Sequence, residues 1–229
     1  MSETLFDNAA WAAAAPRLSV LVPFKGDDPC LLLDLLAREP VAAEVVVLDD
    51  GTADPDLTAR VRSALDRSPL PARLVTLAEN EGRARGRNRL VSHARAGHFL
   101  FLDSDMAPDS SSFLSTWLAL IEQENPAVAF GGFSLDQAPP RRDHALHRAM
   151  AGHSDCLPAE VRALNPEKHV FTSNLLENHF LAPIHHISNA HERSRDLCQT
   201  KLCGPDWPLA IGPAHQRAGT FVLQNGLVG

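Results

Sequence analysis

The sequence of 229 residues contains no tyrosine, three lysines and four cysteines. Its formal net charge of −7 excludes a general nucleic-acid binder, because that class needs basic surface to meet the phosphate backbone. The cysteines are irregularly spaced, which argues against a disulfide framework and favours reduced thiols in the cytoplasm. No run approaches the roughly 20 apolar residues of a transmembrane helix, so we expect at most a peripheral association with membranes.

The first 16 residues do not have the pattern of a signal peptide. They carry an alanine-rich stretch around Trp11, without the basic start and the long apolar core of a signal peptide. We therefore expect residues 1–16 to be a leader that is either a short helix or disordered.

Short apolar runs alternate with helical segments through the first half of the chain. The runs that predict strands are Leu18–Pro23, Val45–Leu48, Leu74–Leu77, Phe99–Leu102 and Val128–Phe130. The segments that predict helices are Leu31–Ala37, Asp56–Leu65, Glu81–Ala96 and Phe113–Gln123. This alternation predicts an α/β fold, with a mainly parallel sheet flanked by helices over residues 17–174.

The pattern weakens after Phe133. A helix over Arg141–Ala151 and a strand over Val170–Thr172 are still indicated. From Glu177 onward no period of 2 or 3.6 residues is sustained, so residues 175–229 form an atypical C-terminal tail.

Two carboxylates follow the fourth apolar run. Asp103 and Asp105 are separated by one residue, directly after Phe99–Leu102. At the carboxyl edge of a parallel sheet, two such acids repel each other unless a cation compensates their charge. Mg²⁺ or Mn²⁺ shared with a substrate phosphate is a suitable compensation, because both ions prefer oxygen ligands. The alternative is a strand that ends at a solvated turn.

A second acidic pair and an arginine-rich segment are expected at the same edge. Asp49 and Asp50 end the second apolar run, and Pro23 ends the first. The segment Asn80–Asn88 combines glycines with arginines at the start of a helix, which is typical of an anion site. Its alternative interpretation is a solvated arginine face.

These segments together resemble the family 2 glycosyltransferases, which have the Rossmann-like GT-A fold. The matching stretches, in the order and near the spacing usual for that family, are Leu18–Pro23, Val45–Thr52, Asn80-x-Gly82 with Arg87-Asn88, and Phe99–Asp105. The resemblance implies a domain that binds a nucleotide-diphospho-sugar donor and transfers the sugar with inversion to a hydroxyl group of a glycan, lipid or protein acceptor.

The resemblance also implies roles for individual residues. Donor-binding residues would be Pro23, Asp49, Asp50, Gly82, Arg87 and Asp103, with Asp49 or Asp50 at the nucleoside and Arg87 near the diphosphate. Asp103 and Asp105 would form the DxD motif that holds Mg²⁺ or Mn²⁺, with Asp105 the more direct ligand. The cation would neutralise the charge that develops on the leaving nucleoside diphosphate.

The tail departs from the family pattern. The family usually carries its general base in a Glu-Asp pair, which this tail lacks. Asp206, in the remnant Gly204–Trp207, is the candidate base, and Glu177 is the nearest single acid after Asn174. A degenerate domain that binds nucleotide sugars without catalysis is therefore an alternative function.

Two further interpretations remain, one for the histidines and cysteines of the tail and one for the Asp103-Ser104-Asp105 motif. The tail residues His179, His185, His186, His191, Cys198 and Cys203 match no established zinc spacing, although His185 or His186 could add a third ligand beside Asp105. Asp103-Ser104-Asp105 could instead be the phosphoaspartyl motif of a haloacid-dehalogenase-type phosphohydrolase. That motif usually ends the first strand of its domain, whereas three predicted strands precede it here.

Overall fold

The computed structural model of the chain describes residues 2–135, 145–178 and 221–223. Its strands are β1 (Glu3–Asp7), β2 (Leu18–Phe24), β3 (Ala43–Asp49), β4 (Ala72–Leu77), β5 (His98–Phe101), β6 (Met106–Pro108), β7 (Val128–Phe130), β8 (Phe133–Ser134), β9 (Leu175–Asn178) and β10 (Phe221–Leu223). Its α-helices are α1 (Cys30–Leu36), α2 (Pro55–Arg67), α3 (Arg83–His93), α4 (Phe113–Glu124), α5 (Ala145–His153) and α6 (Ala159–Arg162), and Pro166–Lys168 forms a 3₁₀ turn.

Seven strands form the main sheet, in the order β1-β4-β3-β2-β5-β9-β7. The four central strands β4, β3, β2 and β5 are parallel to one another, whereas β1 and β9 run antiparallel to their neighbours. A second sheet of three strands has the order β6-β10-β8. The predicted α/β fold with a mainly parallel sheet is confirmed.

Both faces of the main sheet are buried under helices. Apolar residues of α1, α2 and α4, including the fully buried Trp117, pack on one face. Helix α3 covers the other face, where Leu90 packs with Phe99 and Leu48. Burial on both faces explains why β2, β3 and β5 are continuous apolar runs. Among the helices in the described part of the chain, none has the length and apolar composition needed to cross a membrane.

The expected leader of residues 1–16 is wrong, because its first residues join the sheet. Strand β1 pairs antiparallel with β4, with Leu5 opposite Val75. Asn8 is buried, and its side chain donates to the carbonyl oxygens of Leu65 and Leu70 and accepts from the Ala72 N–H, at 2.9–3.1 Å. These partners lie more than 50 residues away in sequence, so no local pattern reveals them.

The boundary expected at residue 174 and the strand expected at Val170–Thr172 also need correction. The strand lies at Leu175–Asn178 instead, and it is inserted in the main sheet between β5 and β7. Asn174 has a φ of 55°, so the chain turns immediately before the strand rather than continuing an extended run from Val170. The atypical tail therefore does not begin at residue 175. Asp206 and the tail histidines and cysteines lie outside the described residues.

Candidate functional site

A cleft of about 380 Å³ lies at the carboxyl ends of β2, β3 and β5. This is the edge where ligands bind in open parallel sheets. The residues that line it are Pro23, Phe24, Lys25, Asp27, Asp50, Asn80, Gly82, Arg83, Gly86, Arg87, Asp103, Ser104 and Asp105. The three strand ends singled out in the sequence are therefore brought together, along with the start of α3.

Asp50 organises the loop between β4 and α3. Its Oδ1 accepts a hydrogen bond from the Glu81 N–H at 2.7 Å. Its Oδ2 accepts from Nδ2 of Asn80 at 2.8 Å and from the Gly82 N–H at 3.1 Å. A carboxylate at the N-terminus of a helix is also favoured by the helix dipole. Asp50 thus holds the first turn of α3 at the cleft.

Asp49, which the sequence suggested as a donor contact, does not line the cleft. It is 2% exposed, and its Oδ1 accepts from the Thr52 N–H at 2.9 Å. Its Oδ2 accepts from the hydroxyl group of Thr58 at 2.6 Å. Both oxygens are used inside the connection between β3 and α2, so the structure assigns Asp49 to that turn rather than to the nucleoside.

Two glycines allow the segments around the cleft to approach one another. Gly51 has a φ of +67°, and a Cβ at this position would lie 2.5 Å from the backbone nitrogen of Asn80. A Cβ at Gly86 would lie 2.9 Å from Cδ2 of Leu48, so Gly86 lets α3 pack closely on β3. This close packing places Arg87, the next residue, under the cleft.

Arg87 forms an ion pair with Asp103 inside the cleft. Its guanidinium Nη2 donates to Oδ1 of Asp103 at 2.9 Å, and the Arg87 side chain is 3% exposed. Burial lowers the pKa of Arg87, and the Asp103 carboxylate opposes that shift. The Nε of Arg87 is buried and has no hydrogen-bond partner among the described residues. The cleft therefore contains a buried cation with an unused donor.

Asp105 lies beside Asp103 at the mouth of the cleft, open to solvent. Partial loss of hydration against the cleft walls raises the pKa of Asp105, and the negative charge of Asp103 raises it further. A divalent cation would relieve this repulsion, and two carboxylates fit the oxygen preference of Mg²⁺ and Mn²⁺. Within residues 2–135 and 145–178, no group of three or more His, Cys, Asp or Glu side chains is placed to hold a metal.

The residues just before β9 support this loop from behind. The hydroxyl group of Ser173 accepts a hydrogen bond from the Asp103 N–H at 2.9 Å. Nδ2 of Asn174 donates to the Gly132 carbonyl oxygen at 2.9 Å, and the Asn174 carbonyl oxygen accepts from the Gly131 N–H at 3.0 Å. One buried turn thus positions both the Asp103 loop and the glycine turn between β7 and β8.

Most of the residues predicted for the site line the cleft: Pro23, Asp50, Gly82, Arg87, Asp103 and Asp105. Sequence analysis missed Phe24, Lys25, Asp27 and Arg83. Phe24 is the last residue of β2, and Lys25 and Asp27 come just after it, so the same rule about carboxyl strand ends could have identified all three. Arg83 belongs to the arginine-rich segment but was not distinguished from its neighbours.

Comparison with known proteins adds a family match. The family model described as "Glycosyl transferase family 2" matches residues 19–182 of this chain. Among curated proteins, the succinoglycan biosynthesis protein ExoU of Rhizobium meliloti (strain 1021) is 31% identical over 138 residues, covering 50% of this chain and 40% of ExoU.

Solved structures that match this chain include two proteins in complex with nucleotide sugars. S. aureus TarS 1-349 in complex with UDP-GlcNAc matches with a TM-score of 0.46 and 25% identity, covering 55% of this chain and 36% of that chain. The mannosyltransferase PcManGT from Pyrobaculum calidifontis in complex with GDP-Man and Mn²⁺ matches with a TM-score of 0.45 and 19% identity, covering 62% and 41%. This chain therefore spans less than half the length of these relatives.

Proposed function

This chain belongs to glycosyl transferase family 2, and from that membership we propose that its cleft binds a nucleotide-diphospho-sugar and that the protein transfers the sugar to a hydroxyl group of an acceptor. The mostly parallel sheet flanked by helices agrees with the GT-A fold of such enzymes. The observation that carries the proposal is the convergence of Asp50, the first turn of α3 and the Asp103–Asp105 loop on one cleft.

The start of α3 is the proposed site of the diphosphate. The peptide N–H groups of the first helical turn have no partner within a helix, and the helix dipole adds partial positive charge there. Arg83 and Arg87 line the same part of the cleft. Guanidinium groups bind phosphate oxygens in a bidentate manner, so these arginines would orient the diphosphate along the floor of the cleft.

Asp50 is the proposed contact for the nucleoside. A carboxylate oxygen can accept two hydrogen bonds, and Oδ1 of Asp50 accepts one, from the Glu81 N–H. The remaining lone pair could accept an N–H of the base. Asp50 would then connect base recognition to the position of α3, which it already anchors through Gly82.

Asp103 and Asp105 are the proposed ligands of a divalent cation. Arg87 uses one oxygen of Asp103, and the other oxygen carries no hydrogen bond from the described residues. Bound Mg²⁺ or Mn²⁺ would neutralise the charge that develops on the departing nucleoside diphosphate. Ser173 keeps the Asp103 backbone in place, so the two carboxylates stay oriented toward the diphosphate site.

Transfer with inversion requires an acidic group that deprotonates the acceptor hydroxyl, and a well-placed base contributes roughly 10²–10⁴-fold. Asp206 stays our candidate for this base.

The acceptor would be a glycan, a lipid or a protein. Family membership favours the transferase over a phosphohydrolase. A domain that binds donors without catalysis is the outcome to test against.

Isothermal titration calorimetry with UDP or GDP in the presence of Mn²⁺ tests the donor site. We expect one of the two nucleotides to bind, and Asp105→Ala to weaken binding about tenfold or more, because the cation loses a ligand. Asp66→Ala is the matched control, since Asp66 is exposed on α2 away from the cleft.

The controls also separate the alternatives. If the unsubstituted chain binds neither nucleotide, or if Asp105→Ala binds as tightly as the unsubstituted chain, the donor-site proposal is wrong. Binding of the nucleotide without hydrolysis of UDP-sugar or GDP-sugar donors would instead support the domain without catalysis.

A further inference from the structure

An acidic side chain that the proposed transfer does not use lies on the α3 side of the main sheet. Glu177 of β9 is opposite Phe99 of β5 and Val128 of β7 in the antiparallel pairs. Residues directly opposite each other in such pairs project on the same face of the sheet. Phe99 packs against Leu90 of α3, so Glu177 lies on the face that α3 covers.

Glu177 and Arg87 share this face and act on each other. Arg87 precedes Leu90 by three residues, so the two side chains lie on the same side of α3. Burial raises the pKa of Glu177 to about 7, and the Arg87 guanidinium opposes this shift. Phe99 and Val128, the residues paired with Glu177 on either side, are apolar. Among the described residues, Arg87 is the charge that acts on Glu177.

Arg87 thus interacts with two acidic side chains, Asp103 and Glu177. It is bonded to Asp103 in the cleft, and its Nε is buried without a hydrogen-bond partner among the described residues. If Asp103 also bound a divalent cation, the guanidinium and the cation would share one carboxylate and repel each other. A negative charge on Glu177 would offset that repulsion and keep the Arg87 guanidinium in place.

We propose that Glu177 is a positioning residue for Arg87, serving as its counter-charge when Asp103 binds the divalent cation of the donor complex. This inference rests on the proposed function. If a cation took up the charge of Asp103, the carboxyl group of Glu177 would release its proton to solvent, and the resulting carboxylate would hold Arg87. No other bond forms or breaks. Binding of the metal–nucleotide complex is thereby coupled to the release of one proton.

The test compares the unsubstituted chain with Glu177→Gln by calorimetry, using the nucleotide, UDP or GDP, that the chain binds with Mn²⁺. A carboxyl group of pKa about 7 that ionises fully on binding makes the association constant rise about tenfold between pH 6 and pH 8. The titrations of Asp105 and of the nucleotide are common to both proteins. We therefore expect the ratio of the two association constants, unsubstituted over Glu177→Gln, to rise about tenfold over this range.

Glu122→Gln is the matched control, since it removes one carboxylate from an exposed position on α4, which packs on the opposite face of the sheet. Its ratio should not change with pH. Calorimetry of the unsubstituted chain and of Glu177→Gln in buffers of different ionisation enthalpy gives a second measurement, in which the protons released by the nucleotide and by Asp105 cancel. The unsubstituted chain should release about half a proton more than Glu177→Gln at pH 7.

A ratio that stays constant between pH 6 and pH 8, or an equal release of protons by the unsubstituted chain and Glu177→Gln, overturns the inference while leaving the donor site intact. If the unsubstituted chain binds neither UDP nor GDP, the proposed function fails and this inference fails with it. The two failures are therefore distinguished by the unsubstituted chain alone.

Discussion

The adjacent aspartates at the end of β3 should respond differently to the same substitution. In Asp50→Asn, the amide can offer one oxygen, whereas Glu81 and Gly82 each donate a backbone N–H to a different oxygen of Asp50. One of these N–H groups would face the new NH₂ group. An unsatisfied donor costs about 1–3 kcal/mol, and loss of the negative charge at the start of α3 adds about 0.3–1 kcal/mol. We expect the free energy of unfolding to fall by about 3 kcal/mol.

Asp49→Asn should be tolerated, because its hydrogen bonds can be reversed. The amide oxygen would keep the bond from the Thr52 N–H, and the new NH₂ group could donate to the Thr58 hydroxyl. That hydroxyl can still donate to the Asp54 carbonyl oxygen, 3.1 Å away. The expected loss is below about 1 kcal/mol.

Urea denaturation of both variants at pH 7, followed by far-ultraviolet circular dichroism, measures the difference. If Asp49→Asn loses as much stability as Asp50→Asn, or more, then the hydrogen bonds that distinguish the two carboxylates do not determine the stability of this edge. Since both positions are buried and the substitutions are identical, a difference in side-chain volume cannot explain the result.

Two further predictions concern stability. Gly51→Ala should lower the free energy of unfolding by about 3 kcal/mol, because Gly51 has a positive φ and the new Cβ would clash with the Asn80 backbone. Gly97→Ala is the control and should change the free energy of unfolding little, since there is open space around Gly97. Equal effects of the two substitutions in urea denaturation would contradict this prediction. Between pH 4.5 and 7 the unfolded chain ionises Glu177 while the folded chain keeps it protonated, so the free energy of unfolding falls as pH rises. Glu177→Gln should therefore gain at most about 3 kcal/mol over the unsubstituted chain at pH 8 and almost nothing at pH 4.5, and a gain that does not depend on pH would refute the raised pKa of Glu177.

The central strands could be predicted because burial on both faces leaves a mark in the sequence. The strands β2, β3 and β5 each contain an uninterrupted apolar run, since helices cover both faces of the sheet. Short runs of this kind depend little on distant contacts for their recognition. Their order along the chain was enough to predict the parallel arrangement.

The strands β1 and β9 could not be predicted because distant partners stabilise them. The β1 residue Leu5 is nearly half exposed, and the segment is fixed by pairing with β4 and by the buried Asn8. Strand β9 offers two apolar residues, Leu175 and Leu176, before the polar Glu177. Neither segment has a period long enough to indicate a strand by itself.

The residues of the candidate site could also be predicted only in part from the sequence. The rule that ligands bind at carboxyl strand ends identified Asp50, Asp103 and Asp105 as residues of one cleft. Adjacent residues of an extended strand point to opposite faces, so at most one of Asp49 and Asp50 could face that cleft. The choice depends on where the strand ends and where Thr52 and Thr58 lie, which the pair of acids does not reveal.

The position of β9 also determines the order in which the domain can be completed during synthesis. A nascent chain that has emerged as far as β7 holds β5 as an open sheet edge, because the strand that belongs between β5 and β7 comes more than 40 residues later. The hydroxyl group that supports Asp103 arrives with that same segment, at Ser173. The acidic loop therefore has its final support only after Ser173 has been synthesised, and until β9 follows, the unpaired edge of β5 is open to pairing with other chains.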